Sequence, residues 1–150
     1  MESTAPQSPA GLRTTPSWLL SQAASHAARL LSEGFAAHGL RGYHYRLLAA
    51  LAEDGPASQA DLGRRCAIDR SDVVAAINDL AGRGLVVRAP DPADRRRNVI
   101  SVTDAGAAEA HRMAETVDRA QQDLLAPLST RERDQLTRLL TRLLEHHSRD

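Results

Sequence analysis

One hundred and fifty residues make one ordinary domain, with room for a single core and not for two. Nineteen basic and nineteen acidic residues cancel, so whole-molecule charge neither favours nor excludes a polyanionic partner. Four aromatic residues (Trp18, Phe35, Tyr43 and Tyr45) are too few for a base-stacking platform on single strands, and the one cysteine, Cys66, cannot form an intrachain disulfide.

No apolar run approaches the ~18 residues that span a bilayer. No charged-then-apolar leader opens the chain, so a cytoplasmic protein without a membrane partner is expected. Residues 1–15 are rich in Ser, Thr, Pro and Ala without apolar periodicity, and read as a disordered N-terminal arm. Thr15 or Ser17 then caps a helix with Pro16 in its first turn. Leu20, Ala23, Ala27, Leu30, Leu31, Gly34 and Phe35 recur at helical spacing and give it one buried face down to about Gly39.

A second helix is expected from about His44 to Glu53, ending at Glu-Asp-Gly-Pro. Ser58, with Asp61 three residues on, starts a short third helix that ends near Cys66. Asp69 caps a fourth, again with an acid three residues later, and Val73, Val74, Ile77 and Leu80 form its inner stripe. Gly82 and Gly84 stop it. A hairpin follows: Leu85–Arg88, a nine-residue tip, and Asn98–Val102. Thr103 caps a long polar helix reaching about Leu125, and Pro127 breaks it. Ser129 and Glu132 make a capping box for a last helix with a dense stripe of Leu136, Leu139, Leu140, Leu143 and Leu144.

Three helices and a hairpin over residues 44–102 are the layout of a winged helix-turn-helix, so the chain is expected to be mainly α. The fourth helix would be the recognition helix in a major groove. The wing tip then accounts for three consecutive arginines, Arg95, Arg96 and Arg97, which repel one another unless an anion lies opposite. A guanidinium fits the narrow minor groove, and its neighbours fit phosphates. Residues 64–97 hold eight arginines and five aspartates, a local surplus of three positive charges on a neutral chain. A solvated loop tip is the plain alternative.

The stretch LGRRCAIDRSDVVAAINDLAGRGLVVRAPDPADRRRNVISVTDAG resembles the winged-helix core of the multiple-antibiotic-resistance regulators, the MarR family. The matching features are Gly84-Leu85-Val86 at the entry to the wing, the Asp-x-Arg signature of Asp94 and Arg96 at its tip, and Val-Thr-Asp-Ala-Gly at the start of the next helix. His44-Tyr45 stands where the family more often has Gln-Phe. The resemblance covers about residues 17–147.

It implies N- and C-terminal dimerisation helices (16–42 and 104–150) flanking a DNA-binding lobe (43–103). It also implies a homodimer with interleaved terminal helices on a pseudo-palindromic double-stranded DNA site. Such a protein represses nearby genes until a small aromatic or phenolic ligand, or oxidation of a cysteine, releases it. The leucine stripe fits a dimer independently, since one domain of this size has little use for such flanking helices unless a partner buries them.

By this resemblance Arg96 is the minor-groove arginine. Asp94, being anionic, would hold it in a bidentate salt bridge, and Arg95 and Arg97 would touch phosphates. In the recognition helix Arg70 and Ser71 lie in the first turn, and Ser71, Ala75 and Asn78 face away from the apolar stripe. Ala75 replaces a residue that is often polar or basic in the family. Asp72 reads as a capping acid, and Arg64 and Arg65 as backbone contacts. The family's ligand cleft makes Trp18, His26, His44 and Tyr45 candidate effector contacts, with structural roles as the plain alternative.

Cys66 follows two arginines that could lower its pKa, yet its place before the recognition helix favours a small core residue. Six histidines show no ligand-spaced pairing, so no metal or other cofactor is expected. No Ser-His-Asp context, phosphate loop or paired carboxylates suggests an enzyme. The rival reading is a winged-helix protein-interaction module without sequence-specific DNA binding, which the arginine-rich tip disfavours.

Overall fold

The computed structural model describes residues 8–149; residues 1–7 of the expected arm, and Asp150, lie outside the described residues. Further along that arm Ala10–Arg13 forms one helical turn, α1, with no buried residue. The Thr15 hydroxyl donates to the Gly11 carbonyl (2.7 Å) and closes this turn, so it does not cap the helix that follows. The remaining elements are α2 (Pro16–Ala36), α3 (Gly42–Asp54), β1 (Ala57–Ser58), α4 (Gln59–Cys66), α5 (Arg70–Gly82), β2 (Val86–Pro90), β3 (Asn98–Val102), α6 (Asp104–Leu124) and α7 (Thr130–His147). This is a mainly helical winged helix-turn-helix with long helices on both flanks. Among the described residues no helix is long and apolar enough to cross a membrane.

Local chemistry sets most boundaries. Ser58, Thr103 and Ser129 each cap a helix through the side-chain oxygen, accepting from Asp61, Gly106 and Glu132 amides respectively. Glu132 returns the bond to the Ser129 amide at 3.0 Å and completes the capping box. Asp69 sits at the N-cap of α5 but accepts no capping bond, so its expected role is not met. α3 begins two residues earlier than expected, because the His44 ring accepts from the Arg41 amide (2.9 Å) and caps the helix from inside it.

The core lies in the winged lobe. Leu47, Leu48 and Leu51 of α3, Leu62 of α4, Val73, Ile77 and Leu80 of α5, Val86 and Ile100 of the hairpin and Met113 of α6 are fully buried. Val74, expected in the inner stripe of α5, is 40% exposed, and Ala76 is buried in its place. The 3.6-residue period puts residues 73, 76, 77 and 80 on one face and rotates 74 out of it.

The sheet has a third strand that the sequence does not announce. β1 pairs antiparallel with β3 (Ala57↔Ile100), giving the order β1-β3-β2. Two residues are too few for a periodic signal. The first wing strand also runs Val86–Pro90, not Leu85–Arg88, which shortens the tip to residues 91–97. Pro90 is tolerated because β2 is an edge strand and its missing N–H breaks no central ladder.

Val-Thr-Asp-Ala-Gly at residues 102–106 locks the wing to the flank. Thr103 takes the helix N-cap while its hydroxyl donates to the Gly84 carbonyl (2.7 Å) and its amide to the Leu85 carbonyl (3.1 Å). A Cβ on Gly106 would lie 1.9 Å from that same Leu85 oxygen, so only glycine fits there.

The flanking helices are unevenly buried. α2 packs on α6 through its C-terminal part, where Phe35 is buried, but Leu19 and Leu20 stand exposed. α7 buries no residue: Leu139, Leu143 and Leu144 are 53%, 48% and 68% exposed. The stripe read from the sequence is present: Leu136 and Leu140 are half-buried, and among the described residues nothing buries the rest of it.

Candidate nucleic-acid interface

The helix-turn-helix is closed by Ala67, a non-glycine residue in the left-handed region (φ 53°) at the end of α4. The Ile68 amide returns to the Gly63 carbonyl (3.0 Å), which turns the chain sharply into α5. Burial of Val73, Ile77 and Leu80 then fixes the rotation of α5, so Ser71, Ala75 and Asn78 all face outward and are exposed. Arg70 opens the helix, exposed and without an ion pair among the described residues. Ala75 leaves the middle of this face without a side chain beyond Cβ, a surface that offers only an apolar contact to a thymine methyl.

Arg64 and Arg65, at the end of α4, are exposed and already engaged. Arg64 bonds Asp61, and Arg65 Nη1 lies 3.4 Å from Asp54 Oδ2. Solvated pairs of this kind are worth about 1 kcal/mol at most, so either guanidinium can exchange its partner for a phosphate.

Two aspartates shape the wing tip. Asp91 Oδ1 accepts from the Ala93 amide (2.9 Å), and Asp94 Oδ1 from the Arg96 amide (3.1 Å), while the Asp91 amide donates across the tip to Arg97 O (2.8 Å). The bidentate bridge expected between Asp94 and Arg96 is not formed: their one side-chain approach is 3.7 Å. Asp94 instead holds the backbone turn, as short acids do in tips of this kind. The Arg96 side chain therefore stands 94% exposed, and neither Arg95 nor Arg97 has an acidic partner among the described residues.

Arg88 was not singled out from the sequence, yet it joins wing to recognition helix by donating to Asn78 Oδ1. The available signal was its position two residues after Val86, hence on the same face of β2.

The four candidate effector residues do not converge. His44 is buried, its Nδ1 used by the Arg41 amide and its Nε2 3.0 Å from Asp79 Oδ2. It borders a cleft of about 400 Å³ with Arg41, Tyr43, Asp72 and Arg83 between α3 and α5. Burial lowers its pKa from 6.5, against the opposing pull of Asp79. Tyr45 lies on another side of α3, stacked on Phe35 (5.5 Å), and lines a cleft of about 220 Å³ with Ala49, Ala52, Glu53, Ala110 and His111. Trp18 and His26 line neither cleft; Trp18 is half-buried and His26 exposed, both on α2.

Cys66 is buried, and its thiol lies 3.5 Å from the Arg46 carbonyl. Burial pushes its pKa up, and the charges of Arg46 and Arg65 do not offset this. The arginine before it in sequence, Arg65, thus fails to activate it. Among the described residues no cluster of three or more His, Cys, Asp or Glu could hold a metal ion.

Comparison with known proteins supplies the context. The profile of the MarR family matches residues 38–97. A transcriptional regulatory protein assigned to the hcr operon of Thauera aromatica is 38% identical over 104 residues; these span 69% of this chain and 63% of that relative, under two thirds of its length. A protein of Pseudomonas aeruginosa assigned as a transcriptional regulator has a crystal structure that superposes with a TM-score of 0.80 at 35% identity, covering 88% of this chain and 98% of that one. BpsR of Bordetella bronchiseptica, whose DNA binding is regulated by 6-hydroxynicotinic acid, gives the same TM-score at 26% identity, over 91% of this chain and 97% of its own.

Proposed function

The chain belongs to the MarR family, and from that premise we propose that it is a homodimeric, DNA-binding transcriptional repressor acting in the cytoplasm. One observation carries the reading. The outward face of α5 (Ser71, Ala75, Asn78) shares a lobe with a wing tip whose three arginines are exposed, two of them without an acidic partner among the described residues. In this reading α5 enters the major groove, with Arg70 and Ser71 at its leading end. Arg96 enters the adjacent minor groove, where negative potential is concentrated. Arg95 and Arg97 meet phosphates on either side, and Arg64 and Arg65 meet them at the end of α4.

Dimerisation follows from the leucine face of α7 and the exposed Leu19 and Leu20 of α2, apolar surface that a second copy buries. Two lobes related by a two-fold axis call for a pseudo-palindromic operator. A small aromatic or phenolic acid then releases the DNA. The likeness to BpsR supports that class of effector, and the clefts at Tyr45 and His44 offer places for it.

The test is a fluorescence-anisotropy titration with the DNA upstream of the chain's own gene against a shuffled duplex, at two salt concentrations. Tight, salt-sensitive preference for the native duplex is expected. Equal and weak binding to both would remove the repressor reading and leave a winged-helix interaction module.

A further inference from the structure

Arg88 and Asn78 together restrict what the recognition helix can read. Val86 and Arg88 share one face of β2; Val86 is buried in the core, so Arg88 lies one step outward, over the exposed side of α5. There it donates to Asn78 Oδ1. A guanidinium has no acceptor, so the amide must present its oxygen to Arg88. The Nδ2 amino group has no partner among the described residues, and Asn78 is exposed on the same face as Ser71 and Ala75.

Resting on the DNA-binding reading above, we infer that Asn78 is a specificity-determining residue whose amide is oriented by Arg88, the oxygen turned to the wing and Nδ2 left as the end that reads a base edge. An asparagine that reads adenine uses both ends of the amide, accepting from N6 and donating to N7. With its oxygen turned towards Arg88 and only Nδ2 facing the base, Asn78 matches edges that accept: guanine N7 and O6, or thymine O4. Arg88 has no acidic partner among the described residues to draw it away. The phosphate potential of a bound duplex favours a cation at this seam between helix and wing. Arg88 is accordingly a positioning residue, acting on the sequence read through the amide it holds.

The experiment selects preferred duplexes from a randomised pool with the full-length protein and its Asn78→Ala, Asn78→Asp and Arg88→Met variants. Affinities for all four base pairs at each half-site position then follow. The wild type should prefer guanine or thymine at one position, and Asn78→Ala should lose roughly 5- to 100-fold discrimination there and nowhere else. Asn78→Asp keeps a bond to Arg88 but has no donor; a purely structural tie would survive it, whereas base reading should be lost as in the alanine variant. Arg88→Met frees the oxygen, and adenine should rise at the same position.

Unchanged preferences in Asn78→Ala, retained discrimination in Asn78→Asp, or no shift towards adenine in Arg88→Met would each overturn the inference while leaving DNA binding intact. A wild type without any sequence preference would overturn it together with the reading on which it rests.

Discussion

The Arg96 side chain stands almost wholly in solvent, on a turn that Asp94 stiffens through the backbone. Nothing in the folded chain requires the guanidinium, so Arg96→Ala should leave stability within about 0.5 kcal/mol of wild type. Specific DNA binding should weaken by roughly 1–3 kcal/mol, the worth of one groove contact, as anisotropy would measure. His44 is the opposite case, a buried group with both nitrogens committed. The Arg41 amide needs a bare Nδ1, and Asp79 takes the proton on Nε2. Protonation would put two donors face to face and charge a buried ring. Its folded pKa lies below the ordinary 6.5, so the unfolded chain binds the proton first as pH falls. Stability from this group is thus complete above about pH 6.5 and is lost on acidification through the folded value. Urea denaturation at several pH values should show a steeper acid loss in wild type than in His44→Gln; parallel losses would contradict the assignment. The sequence made His44 and Arg96 visible, but their roles diverge through burial, which composition does not encode. The role of Arg88 went unread because its two-residue step from Val86 gives its face of the strand but not its partner on α5, which only the fold brings near.

At the scale of elements, side-chain caps were the best guides. Ser58, Thr103 and Ser129 start helices where their three-residue spacing to the next amide predicts, because that chemistry is local. Elements fixed by distant contacts were less legible. β1 exists only through pairing with β3, and the rotation of α5, which exposes Val74, depends on what the lobe packs against it. The turn between α4 and α5 depends on Ala67 in a conformation that costs an L-residue roughly 1–2 kcal/mol. Ala67→Gly should therefore stabilise the lobe, by about 0.5–1 kcal/mol once the greater freedom of glycine in the unfolded chain is set against it. A fall in the denaturation midpoint would show that the turn is held by something other than backbone geometry.

For the whole molecule, the division between a well-packed lobe and exposed flanks is the organising feature. The lobe contains nearly every fully buried side chain, while α7 contains none and presents Leu139, Leu143 and Leu144 outward. The leucine stripe was plain in the sequence as a 3.6-residue pattern; that the described residues leave most of it exposed could be learned only from the fold. The exposed leucines call for a dimer, and the double variant Leu139→Glu/Leu143→Glu should run at monomer mass in light scattering and lose most operator affinity. A monomeric wild type would contradict the two-fold arrangement.

DNA binding in this proposal turns on the arginine wing, which meets the backbone and minor groove. The most direct measurement is the slope of log affinity against log salt for wild type and for the variant with Arg95, Arg96 and Arg97 all replaced by alanine. Each phosphate contact adds close to one unit of slope, so the variant should bind more weakly and its slope should be shallower by about 1–3. Identical affinities and identical slopes would mean that the wing does not touch DNA, and that the three arginines face something else.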